Sequence, residues 1–153
     1  MDVVFDGMAE HDWEHALGGI HATVWEGDAA VAHGSVMMRR LLLEGRALRC
    51  GYVEAVATLP DRRGMGHAGR VMEALAEVIR GAYDIGALGA TDMAAPLYRR
   101  LGWLQWEGPL YALTPDGTVR TPEVEKAVHI LPVGSTPDIT AALTCDWRDG
   151  DVW

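Results

Sequence analysis

The segment from Gly51 to Gly69 constrains the fold more than any other part of the chain. Residues 49–58 put Val53, Ala55 and Ala57 on one side and Tyr52, Glu54, Val56 and Thr58 on the other, which predicts a strand. Pro60-Asp61-Arg62-Arg63-Gly64 breaks it. Beyond His67 the apolar positions Val71, Leu75, Val78 and Ala82 recur at helical spacing, with Met72, Ala76 and Ile79 beside them, predicting a helix over 67–83. The short apolar run 85–90 then predicts a buried strand parallel to the one before the helix.

Around this unit the spacing predicts a short helix over 12–17 capped by Asp12, and strands over 21–25 and 29–43 joined at Gly27-Asp28. With 49–58 these strands make an antiparallel meander. A second helix over 93–101 is capped by Thr91 or Asp92 and closed by Gly102. Residues 105–113 and 127–133 predict further strands around a turn-rich insert, and the tail over 140–153 has no clear period. The expected class is α/β (α+β), a mixed, mostly antiparallel sheet flanked by helices. A 153-residue chain buries enough surface for one core, so residues 1–153 are expected to form a single domain.

The chemical character of the glycine-rich turn follows from where it sits. A helix start leaves backbone N–H groups unpaired and carries partial positive charge. Glycines there let a diphosphate approach the backbone, and Arg62 and Arg63 add charge. The same residues also suit a tight turn with arginines on a solvated face, but the strand–turn–helix setting favours anion binding. Gly64, Gly66 and Gly69 spell the dinucleotide fingerprint GxGxxG, with Asp84 twenty residues after Gly64. In that fold the acidic residue ends the second strand, whereas Asp84 precedes the strand starting at Ile85. Arg63, Gly64, Gly66 and Ala68 fit instead the R-x-x-G-x-G/A loop of the GCN5-related N-acetyltransferases.

Charge narrows the partners. Thirteen Lys and Arg against 22 Asp and Glu give a net charge of −9, which argues against a nucleic-acid partner and suits a cationic one. No apolar run reaches the roughly 20 residues needed to span a membrane, and no leader is evident. Cys50 and Cys145 have no zinc spacing, nor do His11, His15, His21, His33, His67 and His129, so no metal is expected. A reduced, cytoplasmic protein is the expectation.

Beyond the loop, the chain resembles the aminoglycoside 2'-N-acetyltransferases of that superfamily from about Asp12 to its last residue. The resemblance is carried by Asp12-Trp13-Glu14-His15, Leu17-Gly18-Gly19, Ala47-Leu48-Arg49-Cys50-Gly51-Tyr52-Val53-Glu54, and Arg80-Gly81-Ala82-Tyr83. Gly102-Trp103-Leu104, Arg120-Thr121-Pro122, Cys145-Asp146-Trp147-Arg148 and Gly150-Asp151-Val152-Trp153 continue it. Relatives begin with a further strand and helix, so the N-terminal strand and helix around residues 3–5 are expected to be shortened. Where relatives have an acidic run after Arg-Thr-Pro, this chain has Glu123-Val124-Glu125. Val124 takes the central place, leaving Glu123 or Glu125 to supply the carboxylate.

The resemblance implies acetyl transfer from acetyl-CoA to the 2'-amine of an aminoglycoside by a homodimeric enzyme. Val56, Ala57 and Thr58 would line the pantetheine arm, and a backbone N–H near Val56 would hold the thioester carbonyl. Arg63, Gly64, Met65, Gly66, His67 and Ala68 would cradle the diphosphate. Asp6, Glu54, Ala55, Gly89, Glu123, Asp151 and Trp153 would meet the drug.

Several of these roles also follow from the residues themselves. Glu54 interrupts an apolar strand, where partial burial lifts a carboxyl toward the range of a general base; a salt bridge with Arg49 or Arg39 is the plainer alternative. The last nine residues hold Asp146, Asp149, Asp151 and the terminal carboxylate against Arg148 alone, a trap for a polycation or else a solvated face. Tyr98 matches the superfamily's general acid. Its proton transfer to a thiolate is uphill by roughly 2 kcal/mol at ordinary phenol and thiol values. Core stripe positions Ala94, Leu97 and Leu101 would leave Tyr98 offset from the core. Two readings compete: an acetyltransferase for another amine, such as a polyamine, amino sugar or protein N-terminus, and a non-catalytic acetyl-CoA or cation-binding module.

Overall fold

The computed structural model describes residues 10–153. Its elements are α1 (Glu10–Ala16), β1 (Ile20–Glu26), β2 (Ala29–Leu43), β3 (Arg46–Thr58), α2 (His67–Ala82), β4 (Ile85–Gly89) and α3 (Ala95–Arg100). They continue as β5 (Leu104–Gln105), β6 (Leu110–Thr114), β7 (Gly117–Arg120), β8 (Val128–Pro132) and β9 (Leu143–Cys145). Short 3-10 turns occupy Pro60–Arg62 and Pro122–Val124. All nine strands join one sheet in the order β5-β8-β4-β3-β2-β9-β6-β7, with β1 pairing to β2.

The 15-residue β2 organises the sheet because three neighbours share it. It pairs antiparallel with β3 along most of its length, with β1 over residues 29–36, and with β9 over residues 41–43. Alternation along β3 feeds two cores. Val53 faces Val71, Leu75 and Ile79 of α2. Cys50 and Tyr52 face the other side, with Trp106, Leu110 and Trp153. Six residues of α2 are buried, and each large apolar one contributes about 1.5–3 kcal/mol.

The expected meander, the 67–83 helix and the parallel strand at 85 all form, within three residues at their ends. Four expectations are corrected. Asp12, expected at the start of the first helix, lies inside α1, which begins at Glu10. The strand expected over 105–113 is two, because Trp106 turns inward and its indole N–H donates to the Ala141 carbonyl at 3.0 Å. The turn-rich insert holds β7, and the tail holds β9, three residues paired to β2 and β6. Finally, Tyr98 is not offset from the core: it is 6% exposed, and α3 turns Ala95 and Tyr98 inward, leaving Ala94, Leu97 and Leu101 half-buried.

Candidate active site

The site begins where two strands part. β3 and β4 pair in parallel through Cys50–Ile85, Gly51–Gly86 and Tyr52–Ala87, and there the ladder stops. β4 continues to Gly89 against Val128 of β8, while β3 runs on to Thr58 along β2. Beyond Tyr52, therefore, β3 has no strand pairing on its β4 side among the described residues, and Val53 to Thr58 line a wedge between the two.

Inside the wedge β3 is kinked. Ser35 pairs with Glu54 and His33 with Ala57, so β3 carries one more residue than β2 across this step, a β-bulge. Ala55 takes up the extra length with φ of +51°, a conformation that costs an L-residue about 1–2 kcal/mol. Side chains of β2 hold both carbonyls of the kink. The Ser35 hydroxyl donates to Glu54 C=O at 3.3 Å, and His33 Nδ1–H donates to Ala55 C=O at 3.1 Å. His33 Nε2 then accepts from His21 Nδ1–H at 2.9 Å. Burial, with His21 beside it, keeps the His33 imidazole below its ordinary value and hence neutral at pH 7.

The bulge overturns one expectation from simple alternation. Val56 does not share the face of Glu54: a Cβ added at Gly34 would meet Val71, Leu75 and Val56 within 3.3 Å, so Val56 packs on the α2 side with Val53. The extra residue reverses the alternation after Glu54.

The wedge leads to the start of α2. Gly64 and Gly66 both adopt left-handed φ, +78° and +82°, with open space around them. No side chain caps α2 and no acid lies in its first turn. Its first intrahelical bond runs from Arg70 N–H to Gly66 C=O, so the N–H groups of His67, Ala68 and Gly69 precede the ladder. Gly64, Met65 and Gly66 are exposed, Ala68 is half-buried, and Arg63 donates to Thr58 C=O at 3.4 Å. Arg62 is committed elsewhere, to Glu26 at 2.9 Å and Asp61 at 2.6 Å. His67 is buried, its Nε2 3.1 Å from Glu26. The buried Thr58 hydroxyl has no partner among the described residues.

On the opposite face of β3 lies a cleft of about 260 Å³ lined by Tyr52, Glu54, Gly89, Ala90, Thr91, Val124, Ala127, Val128, Asp151 and Trp153. Glu54 does not pair with Arg49 or Arg39. Its partner is Arg148, 2.5 Å away, and both side chains are less than one-fifth exposed. Burial raises the Glu54 carboxyl above its ordinary value, against the opposing pull of Arg148. Arg148 also donates through Nε to Asp151 C=O at 2.6 Å, linking Glu54 to the tail. Trp153 is buried, its indole N–H donating to Thr121 Oγ at 3.0 Å.

Of the acidic side chains of the tail, Asp151 alone lines this cleft. Asp146 receives Arg39 at 2.7 Å and the Arg40 N–H at 3.1 Å, and Asp149 is exposed. Val124 lines the cleft; Glu123 is exposed outside it, and Glu125 pairs with Arg120 at 2.8 Å. Asp6 lies outside the described residues. Tyr98 packs near Val53 and Leu88, and burial pushes its phenol up to about 12. Sequence reasoning did not single out Tyr52, Thr91 or the Arg148–Glu54 pair; the apolar surroundings of Tyr52 read as core, and the pair spans 94 residues. A hollow of about 300 Å³ at the other end of the sheet, near Leu43, Leu48 and Pro132, has no unpartnered buried polar atom among its described lining residues.

A splayed parallel pair, a bulged strand and an uncapped glycine-led helix together define an acyltransferase architecture. The profile of the acetyltransferase (GNAT) domain matches residues 7–105, and the chain belongs to this family. It is 53% identical over 154 residues to an aminoglycoside 2'-N-acetyltransferase of Mycolicibacterium fortuitum, covering 97% of this chain and 79% of that relative. In three dimensions it resembles the GNAT family N-acetyltransferase YhbS from Escherichia coli in complex with CoA, with a TM-score of 0.61 at 15% identity, over 88% of this chain and 72% of that one. A GNAT family acetyltransferase from Brucella melitensis in complex with acetyl-CoA aligns with a TM-score of 0.55 at 17% identity, over 86% and 68%. Against two longer solved proteins, a GCN5-related N-acetyltransferase from Kribbella flavida and Eis1 from Mycobacterium abscessus, the chain spans only 22% and 24% of their length.

Proposed function

We propose that this chain transfers acetyl from acetyl-CoA to the 2'-amino group of aminoglycosides, by direct transfer with both substrates bound. The observation that carries this reading is the position of Glu54. It sits one residue before the bulge, lines the acidic cleft, and adjoins the wedge that leads to the diphosphate-type turn. The 53% identity to an enzyme named for this reaction supports the choice of amine.

Acetyl-CoA supplies an activated thioester. The unpaired edge of Val56, Ala57 and Thr58 receives the pantetheine arm as a sheet receives an added strand. Arg63 and the N–H groups from Gly64 to Ala68 take the diphosphate, where the first turn of α2 carries no acid. In the cleft, Glu54 and Asp151 attract the polycation, with Gly89 and Trp153 forming its walls. Glu54 removes one proton from the ammonium through a water, so that a neutral amine attacks. A backbone N–H near Val56 holds the carbonyl oxygen as charge builds on it. Tyr98 protonates the departing thiolate. With its phenol near 12, that step is uphill by about 5 kcal/mol against a free thiol, so the site must raise the thiolate's basicity as well.

Free, buried Cys50 and Cys145 suit a reducing compartment, and we place the enzyme in the cytoplasm as a homodimer. One observation favours a second reading: Val124 occupies the cleft wall and Glu125 is tied to Arg120, which suits a less highly charged amine. A thiol-release assay over aminoglycosides with and without a 2'-amine, with mass-spectrometric localisation of the acetyl group, decides between them. Acetylation confined to 2'-amino drugs is expected; equal turnover of a 2'-hydroxyl drug refutes the regiochemistry.

A further inference from the structure

Tyr52 has no role in the mechanism above, yet among the described residues its hydroxyl is the buried polar atom of the cleft lining that lacks a partner. The residue is 1% exposed, so its ring is fixed in the core, and it forms part of the cleft wall. Its hydroxyl oxygen and an oxygen of the Trp153 terminal carboxylate both border Gly89: a Cβ there would come within 3.6 Å of the one and 3.7 Å of the other. A buried hydroxyl facing a ligand cleft with no hydrogen bond is unfavourable in the empty protein and marks a place for a ligand's polar atom.

The surroundings specify which atom. The guanidinium carbons of Arg39 and Arg148 lie 4.7 and 5.4 Å from the ring centroid. Each guanidinium is already paired with a carboxylate, Asp146 or Glu54, so the two do not set the sign at the hydroxyl; an O–H without an acceptor calls for a ligand oxygen with a free lone pair, which an ammonium does not have. Burial, and the Glu54 carboxylate nearby, keep the phenol protonated far above neutral pH, so it acts as a donor. Alternate residues of a strand are about 6.6 Å apart, beyond one hydrogen bond. The group that meets Tyr52 is thus a neighbour of the amine served by Glu54, not the amine itself.

We infer that Tyr52 is a substrate-contacting, specificity-determining residue whose hydroxyl donates to the sugar hydroxyl vicinal to the reacting amine. The inference rests on the reading of the chain as an amino-sugar acetyltransferase. Its test compares wild type and Tyr52→Phe on a matched pair of 2'-amino aminoglycosides that differ only in the 3'-hydroxyl. For wild type, kcat/KM falls roughly tenfold on the 3'-deoxy drug; Tyr52→Phe loses roughly tenfold on the 3'-hydroxy drug and discriminates between the two by less than twofold. The KM for acetyl-CoA stays within about twofold, and Tm does not fall, since the variant removes an unpaired buried oxygen. Wild-type kinetics in Tyr52→Phe, or a loss equal for both drugs, overturns the inference while leaving the reaction assigned. Failure of wild type to acetylate either drug overturns both.

Discussion

At the scale of single residues, chemistry depends on how Glu54 is held. Its carboxyl is pushed up by burial and pulled down by Arg148. A base is active above its pKa, so kcat/KM should fall as pH drops through a value above the usual carboxylate range. Arg148→Met removes the opposing charge, and the acidic limb of the pH profile should move to higher pH. Glu54→Gln should lower kcat about 10²-fold or more at pH 7, with the KM for acetyl-CoA little changed. A limb that stays in place in Arg148→Met would show that Arg148 only anchors the tail. Glu54 itself was legible in the sequence, because an acid inside an apolar strand needs a reason. Arg148 was not, since nothing local relates a tail arginine to a strand 94 residues earlier.

At the scale of elements, the bulge decides which side chains meet. It places Val56 over α2 and keeps Glu54 in the cleft, a division that period-two reading of β3 inverts. A bulge leaves no signature in hydropathy; Ala55, with its ordinary side chain, gives no hint of a left-handed φ. The glycine turn and α2 were legible because their signals are local: glycines where φ is positive, then an apolar stripe. The three-residue β9 was not, being too short to show a period. Ala55→Val should lower stability by about 1–3 kcal/mol and depress kcat, because a β-branched residue resists positive φ. Ala55→Gly should retain stability within about 1 kcal/mol, as relief of strain offsets added backbone entropy. Denaturant unfolding of both variants measures the difference; equal losses would mean that the kink is not strained.

At the scale of the whole molecule, the sheet opens where β3 leaves β4. A ligand lying along that edge completes the hydrogen bonding that the ladder abandons after Tyr52. Acetyl-CoA at about 100 times its Kd should therefore add about 2.7 kcal/mol and raise Tm by roughly 5–10 °C. Thermal melting over a concentration series checks this, and a flat series would exclude the wedge as the cosubstrate's seat. The overall class was readable because the meander, the crossover helix and the parallel return fix it. The depth of the opening was not, since where two strands stop pairing depends on contacts no single segment carries. The gap between β3 and β4 also has a consequence for turnover of the protein: if the cosubstrate completes the sheet there, copies starved of it would unfold and be degraded sooner than loaded ones.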